Sequence, residues 1–156
     1  EWEFVLIIKD LLARIIGVQK LCFIEGSRST FDAANSMVKY KCGALLVRKS
    51  LNDDQLQGII TERDLAFRVI PRLLDPKKTK ICEIMTTTVD TIDEKKTIDD
   101  AIILMKKNGY RHLPVVAKHK IIGILSMRDL YAVANNSLQD SIKKHEEFLY
   151  GTGYGG

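Results

Sequence analysis

The sequence predicts an α/β (α+β) protein made of two pseudo-twofold-related repeats, each a small sheet packed with two helices, and three observations carry that reading. The first is internal repetition. A shift of 68 positions lays Asp32-Ala33 on Asp100-Ala101, Met37 on Met105, Leu45 on Leu113 and Val47 on Val115. After a short gap a shift of 65 lays Gly58-Ile59 on Gly123-Ile124 and Arg63-Asp64-Leu65 on Arg128-Asp129-Leu130. The second is a pair of matching helix starts, Ser29-Thr30-Phe31-Asp32 and Thr97-Ile98-Asp99-Asp100, where a hydroxyl can cap a free amide and an acid three positions on can answer it. The third is that each half passes from helical apolar spacing to short apolar runs, the pattern of a helix followed by buried strands. A half of about 50 residues has too little core to stand alone, so the folding unit is the pair.

The elements follow in order. Residues 1–16 read as an amphipathic lead-in helix, because Phe4-Val5-Leu6-Ile7-Ile8 is cut by Lys9-Asp10 and falls short of the roughly 20 apolar residues a bilayer requires. The first repeat covers residues 17–74. Thr30, Ala33, Ala34 and Met37 give its first helix a thin apolar stripe, Ala44-Leu45-Leu46-Val47 and Gly58-Ile59-Ile60 are its strands, and residues 49–55 form the long hairpin loop between them. A second helix opens at Thr61, with Leu65, Val69 and Leu73 at i, i+4 and i+8 and Ile70 beside them. Residues 75–80 are a polar linker whose Lys77, Lys78 and Lys80 face solvent. The second repeat covers residues 81–135: a short turn with Ile81, Ile84 and Met85, a helix striped by Ile98, Ala101, Ile102 and Met105, the strands Leu113-Pro114-Val115-Val116 and Gly123-Ile124-Leu125, and a helix from Ser126 with Leu130, Val133 and Ala134. Residues 136–156 are a C-terminal helix, amphipathic from Leu138 to Tyr150, and a flexible glycine-rich tail.

Composition narrows the function. The 156 residues are 46% apolar and 28% charged, which suits a packed globular chain and excludes a large multi-domain enzyme or a disordered one. Lys and Arg number 24 against 20 Asp and Glu, a charge of +4 without a concentrated basic block, so small anions suit it better than nucleic acid. Three widely spaced cysteines, Cys22, Cys42 and Cys82, lack a Cys-x-x-Cys pair and read as reduced, buried thiols of an intracellular protein. His119 falls in a hairpin turn and His145 on the tail helix, each without a second ligand at metal-binding spacing.

The strongest chemical signal is Gly58-Ile59-Ile60-Thr61-Glu62-Arg63-Asp64-Leu65, echoed by Gly123-Ile124-Leu125-Ser126-Met127-Arg128-Asp129-Leu130. In each, a strand ends on a hydroxyl residue and an Asp follows in the first helical turn. Such a start can seat a phosphate on free amides while the carboxylate takes a ribose diol, or it can close on itself as a capping box with no ligand. Arg111-His112 can likewise be solvated edge residues or a cationic wall, with Pro114 expected to set a bend that holds them near the repeat interface. Cys42 has no paired base and reads as core or pocket wall rather than nucleophile.

Those two motifs, with Ile-Met-Thr at 84–86 and Arg-His-Leu-Pro-Val-Val at 111–116, resemble tandem CBS domains over about residues 17–135, most closely small stand-alone CBS-pair proteins of plant organelles and bacteria. The resemblance implies a non-enzymatic regulatory module that requires no cofactor and binds an adenosine-type ligand, AMP, ADP or ATP, or else NAD(H) or S-adenosylmethionine, between the repeats. It implies ligand contacts from Thr61 with Asp64 and from Ser126 with Asp129, with Arg63 and Arg128 beside them. Cys42, Gly43, Tyr110, Arg111, His112, Cys22 and Asp90 would wall the base. It also implies a homodimer through the helices that follow the motifs, an unidentified regulated partner, and a cytoplasmic or organellar location, for example mitochondrial. A module that dimerises without any ligand is the rival. By the family's logic Thr61 and Asp64 share a cleft with Arg111 and His112, while Ser126 and Asp129 share one with Cys42 and Gly43, and the first, richer in guanidinium, binds phosphorylated adenosine more tightly.

Overall fold

The computed structural model describes residues 6–15, 21–50 and 52–149. The expectations for residues 1–5 and 16, for the glycine-rich tail from Tyr150 onward, and for the side chain of His145 lie outside the described residues. Helix α1 (Ile8–Ile15) leads into the first sheet, built from β1 (Phe23–Glu25), β2 (Ala44–Arg48) and β3 (Leu56–Thr61), with α2 (Thr30–Tyr40) crossing between β1 and β2. Helices α3 (Glu62–Asp64) and α4 (Ile81–Ile84) follow. The second sheet holds β4 (Ile92–Asp93), β5 (His112–Ala117) and β6 (Lys120–Ser126), with α5 (Ile98–Asn108) crossing between β4 and β5 and α6 (Met127–Leu149) closing the chain. Both sheets place their second strand centrally, parallel to the first and antiparallel to the third.

The helix starts behave as their residues require. Ser29 Oγ accepts the Asp32 N–H at 3.1 Å while the Ser29 N–H donates to the Asp32 carboxylate, and Thr97 with Asp100 forms the same box. Both helices end on a left-handed residue, Lys41 in α2 (φ 51°) and Gly109 in α5 (φ 70°). In the second hairpin Lys118 and His119 both have positive φ, the two-residue turn that matches strand twist.

Strand β2 is buried on both faces, which is why it reads as a continuous apolar run rather than an alternating one. Leu45 and Val47 join Ile24, Ala33, Met37 and Ile60 in the core of the first repeat. Ala44 and Leu46 point the other way, packing with Ile59, Phe23 and Val89 and with Ile121 and Ile124 of β6. That second cluster joins the halves.

The lead-in segments are exchanged. Helix α1 precedes the first repeat yet buries Ile8, Leu11 and Leu12 in the core of the second, with the Ile8 N–H donating to Lys96 O and Gly123 leaving room for Leu12. Helix α4, placed by sequence with the second repeat, buries Ile81 and Ile84 in the core of the first and bonds through the Ile81 N–H to Arg28 O. The linker before it is equally engaged: Thr79 and Pro76 carbonyls accept from the start of α2, and Thr79 is buried, although Lys77, Lys78 and Lys80 are exposed as expected.

Further expectations need correction. The helix from Thr61 is not a regular one: α3 gives way to a π-helical stretch over Leu65–Val69, and the chain then turns, with Leu73 left-handed and 93% exposed. Pro71 cannot donate the next helical bond, and although Ile70 keeps right-handed helical angles the chain turns after it, so Leu73 leaves the core face that Leu65 and Val69 share. Pro114 does not bend β5. It pairs with Ile124 inside the ladder, and the irregularity falls at Val115/Val116; β4 reaches only those two residues, so no partner strand needs the missing proline donor. Finally, Cys82 is exposed rather than buried. The tail helix is also continuous with the helix from Ser126, forming one α6.

The two helix ends provide a test. Lys41 holds a conformation that costs a side chain about 1 kcal/mol and that Gly109 adopts freely, so Lys41→Gly should raise stability by about 0.5–1 kcal/mol and Gly109→Ala should lower it similarly. Urea unfolding of the three proteins in parallel checks the opposite signs.

Candidate functional site

A cavity of about 390 Å³ opens between the halves, within the range of small-molecule sites. One side comes from the end of β3 and the helical segment after it, the other from the two approaches to the second sheet. The first approach is laid down by β3 itself: Ile59 and Thr86 exchange both backbone hydrogen bonds at 3.0 Å, and Gly58 permits the contact, since a Cβ there would lie 2.6 Å from Thr86 O. Thr86, Thr88, Val89 and Asp90 consequently line the cavity.

Thr61 and Asp64 form a closed box on the first side. The Thr61 N–H and hydroxyl donate to Asp64 Oδ2 at 2.8 and 3.1 Å, and the Asp64 N–H returns a bond to Thr61 Oγ1 at 3.3 Å. Asp64 Oδ1 faces Arg68 Nε at 3.5 Å, and Arg68 Nη1 donates to Ile84 O at 2.7 Å. The carboxylate is thus held from both oxygens, with its side chain 12% exposed. Arg63 remains exposed and stacks over Phe67 with its guanidinium carbon 5.2 Å from the ring centre. Sequence reasoning did not single out Arg68, Glu62 or Phe67. The i, i+4 spacing of Asp64 and Arg68 was the available signal.

On the opposite side Tyr110 and Asp90 act together. Tyr110 Oη donates to Asp90 Oδ2 at 2.6 Å and Asn108 Nδ2 donates to the same oxygen at 3.2 Å. The bond to Asp90, with burial and that residue's charge behind it, raises the Tyr110 hydroxyl above its ordinary pKa. Arg111 and His112 complete the wall. Burial lowers the His112 pKa and Arg111 adds to the effect, while Glu62 and Asp129 pull the other way.

The cavity therefore unites Thr61, Arg63, Asp64, Asp90, Tyr110, Arg111 and His112. Ser126, Arg128, Asp129, Cys22, Cys42 and Gly43 do not line it. Ser126 and Asp129 repeat the closed box, with the Ser126 N–H and hydroxyl 2.9 and 2.7 Å from Asp129 Oδ2, and Arg128 is exposed. The two motifs are seated alike: the Glu62 N–H donates to Gly43 O and the Met127 N–H to Arg111 O, both at 3.0 Å. Cys22 is buried in the first core with Cys42 packed against it, and burial together with the Cys22 thiol pushes Cys42 up to about 11, which disarms it as a nucleophile. Among the described residues no three His, Cys, Asp or Glu side chains gather as a metal site, and no helix is long and apolar enough to cross a membrane.

The family model of the CBS domain matches residues 19–70 and 81–135. The mitochondrial CBS domain-containing protein CBSX3 of Arabidopsis thaliana is 31% identical over 125 residues, 79% of this chain, which spans 61% of that protein's length. A solved structure of a protein with CBS domains from Burkholderia ambifaria is 31% identical and superposes with a TM-score of 0.74, covering 81% of this chain and 91% of the other. A CBS domain protein of Pyrobaculum aerophilum, solved in complex with AMP, shares the fold at 21% identity and a TM-score of 0.69, covering 80% of this chain and 89% of its own.

The lowered pKa of His112 sets a sign for pH dependence. The unfolded chain binds a proton on this residue near pH 6.5 that the folded chain resists, so stability present above that pH is lost as the pH falls below it. Thermal unfolding at pH 7.5 and 5.5 should show a smaller acid loss in His112→Gln than in the unsubstituted protein. An equal loss in both places the linkage elsewhere.

Proposed function

The chain belongs to the CBS-domain family, and from that premise we propose that it is a non-enzymatic regulatory module that binds an adenosine-type ligand, AMP, ADP or ATP, in the cleft between its repeats. The supporting observation is the cavity itself, which sets a locked carboxylate, Asp64, with Arg63 beside it and Arg111 across the junction. Oxygens so fixed suit the hydroxyls of a ribose, whereas Arg63 and Arg111 suit a phosphate, to which a guanidinium can donate twice. Ile59, Val89 and the Tyr110 ring offer flat apolar surface to a base. A helix-terminus seat for phosphate has less support on this side than the sequence suggested, because α3 is a single turn that passes into π-helical geometry.

One observation favours the ligand-free rival. The Thr61 and Ser126 boxes are each closed on their own donors, as plain helix capping requires. A thermal-shift series with AMP, ADP, ATP, NAD(H) and S-adenosylmethionine separates the readings. A bound compound at 100 times its Kd adds about 2.7 kcal/mol and raises Tm by several degrees. Silence from every compound favours the rival. Calorimetry should then show the tight phase lost in Asp64→Ala and weakened in Arg111→Ala but kept in Asp129→Ala; the reverse pattern would move the tight site to the Ser126 cleft. Turnover of ATP that disappears in Asp64→Ala would displace the regulatory reading altogether.

We further propose a homodimer. Phe67, Ile70, Leu73 and Tyr131, all after the two motifs, stay exposed. Light scattering at tens of micromolar should return twice the chain mass, and a monomer there, unchanged by AMP, rejects the assembly. The output of such a module requires a partner that distinguishes its bound and free states.

A further inference from the structure

Resting on the adenosine-ligand reading, we propose that Glu62 limits how many phosphoryl groups the cleft accepts, making it a site for a nucleoside monophosphate over a di- or triphosphate. Glu62 lines the cavity, and its carboxylate lies against the backbone of Gly43, where an added Cβ would sit 2.9 Å from Oε2 and 3.3 Å from Oε1. It is also near enough to His112 to favour the imidazolium. The group therefore stands between the strand entries of the two repeats, at Gly43 and His112. Among the described residues it forms no ion pair.

The charges around it are mostly committed. Arg68 is taken by Asp64 and Ile84 O, whereas Asp90, held by the neutral Tyr110 and Asn108, keeps its charge and adds to the negative side. Arg63 and Arg111 remain, enough to offset one phosphoryl group. Each further group adds negative charge facing Glu62 with no additional guanidinium to meet it, and like charges repel across a cleft open enough for salt to screen them. The corresponding residue of the second repeat is the neutral Met127, seated by the same backbone bond. The acid is therefore not required by the motif's geometry.

The test is calorimetric titration of the whole chain and Glu62→Gln with adenosine, AMP, ADP and ATP, at low salt with a chelator to strip divalent ions, reading the phase that Asp64→Ala abolishes. Glu62 is exposed and anchored through its backbone, so the variant should keep the wild-type circular dichroism. The expected order is AMP tighter than ADP and ADP tighter than ATP, with AMP and ATP separated by about tenfold. Glu62→Gln should tighten ATP by about tenfold and AMP by no more than about threefold, and half-molar salt should narrow the wild-type gap. ATP bound as tightly as AMP by the wild type, or a gap that survives in Glu62→Gln, overturns the role of Glu62 and leaves the adenosine site standing. If no adenosine compound binds, both fail.

Discussion

Each half of this molecule is completed by the segment that precedes the other half. Without α1 the second core would expose the surface now covered by Ile8, Leu11 and Leu12, and without α4 the first would lose Ile81 and Ile84. Fully burying side chains of that kind contributes about 1.5–3 kcal/mol each, a large share of the margin by which a domain is stable. The exchange also fixes the halves relative to one another. Residues running out of α4 must pass along β3, where the Ile59–Thr86 bonds dock them, and that passage delivers Thr88, Val89 and Asp90 to the cavity. The cleft is thus a by-product of how the cores are filled.

The repeats are alike in strand order and in their capping motifs, and unlike in charge. Both motifs cap themselves with a hydroxyl and a carboxylate, so Asp64 and Asp129 are oriented before any ligand arrives, a form of preorganisation that lowers the cost of ordering on binding. The differences in charge at the junction fall at positions the capping does not constrain. Where one repeat has Gly43 and Glu62 in backbone contact, the other has Arg111 and Met127, an inversion of bulk and charge at identical geometry. Duplication supplies the frame, and these free positions set what each face of the junction can hold.

Much of this was legible in the residues because it is local. Capping boxes at Ser29 and Thr97, the doubly buried run at Ala44-Leu45-Leu46-Val47 and the turn at Lys118-His119 are each determined by a few neighbouring side chains. The meeting of Asp64 with Arg111 was reachable only through the family resemblance, since it depends on how the two halves stack. What stayed hidden is what depends on distant packing. The exchange of α1 and α4 leaves no periodic trace, because either core would accept the same apolar stripe. The reach of Arg68 to Ile84 O joins residues far apart in sequence with no motif in common. Cys22 and Cys42 read as pocket wall because thiols suit a wall and a core equally well.

The reach of α1 has a further consequence for how the chain is made. Ile8 bonds to Lys96 and packs beneath β6, so α1, made before either sheet, has no finished surface to settle on until β6 has emerged. Closing a loop of that length is entropically slow, and the interval leaves an apolar helix exposed and able to occupy the same groove on a neighbouring nascent chain. Folding speed and the yield of correctly closed monomers should therefore be governed by the timing of α1 capture, whatever the intrinsic stability of either sheet.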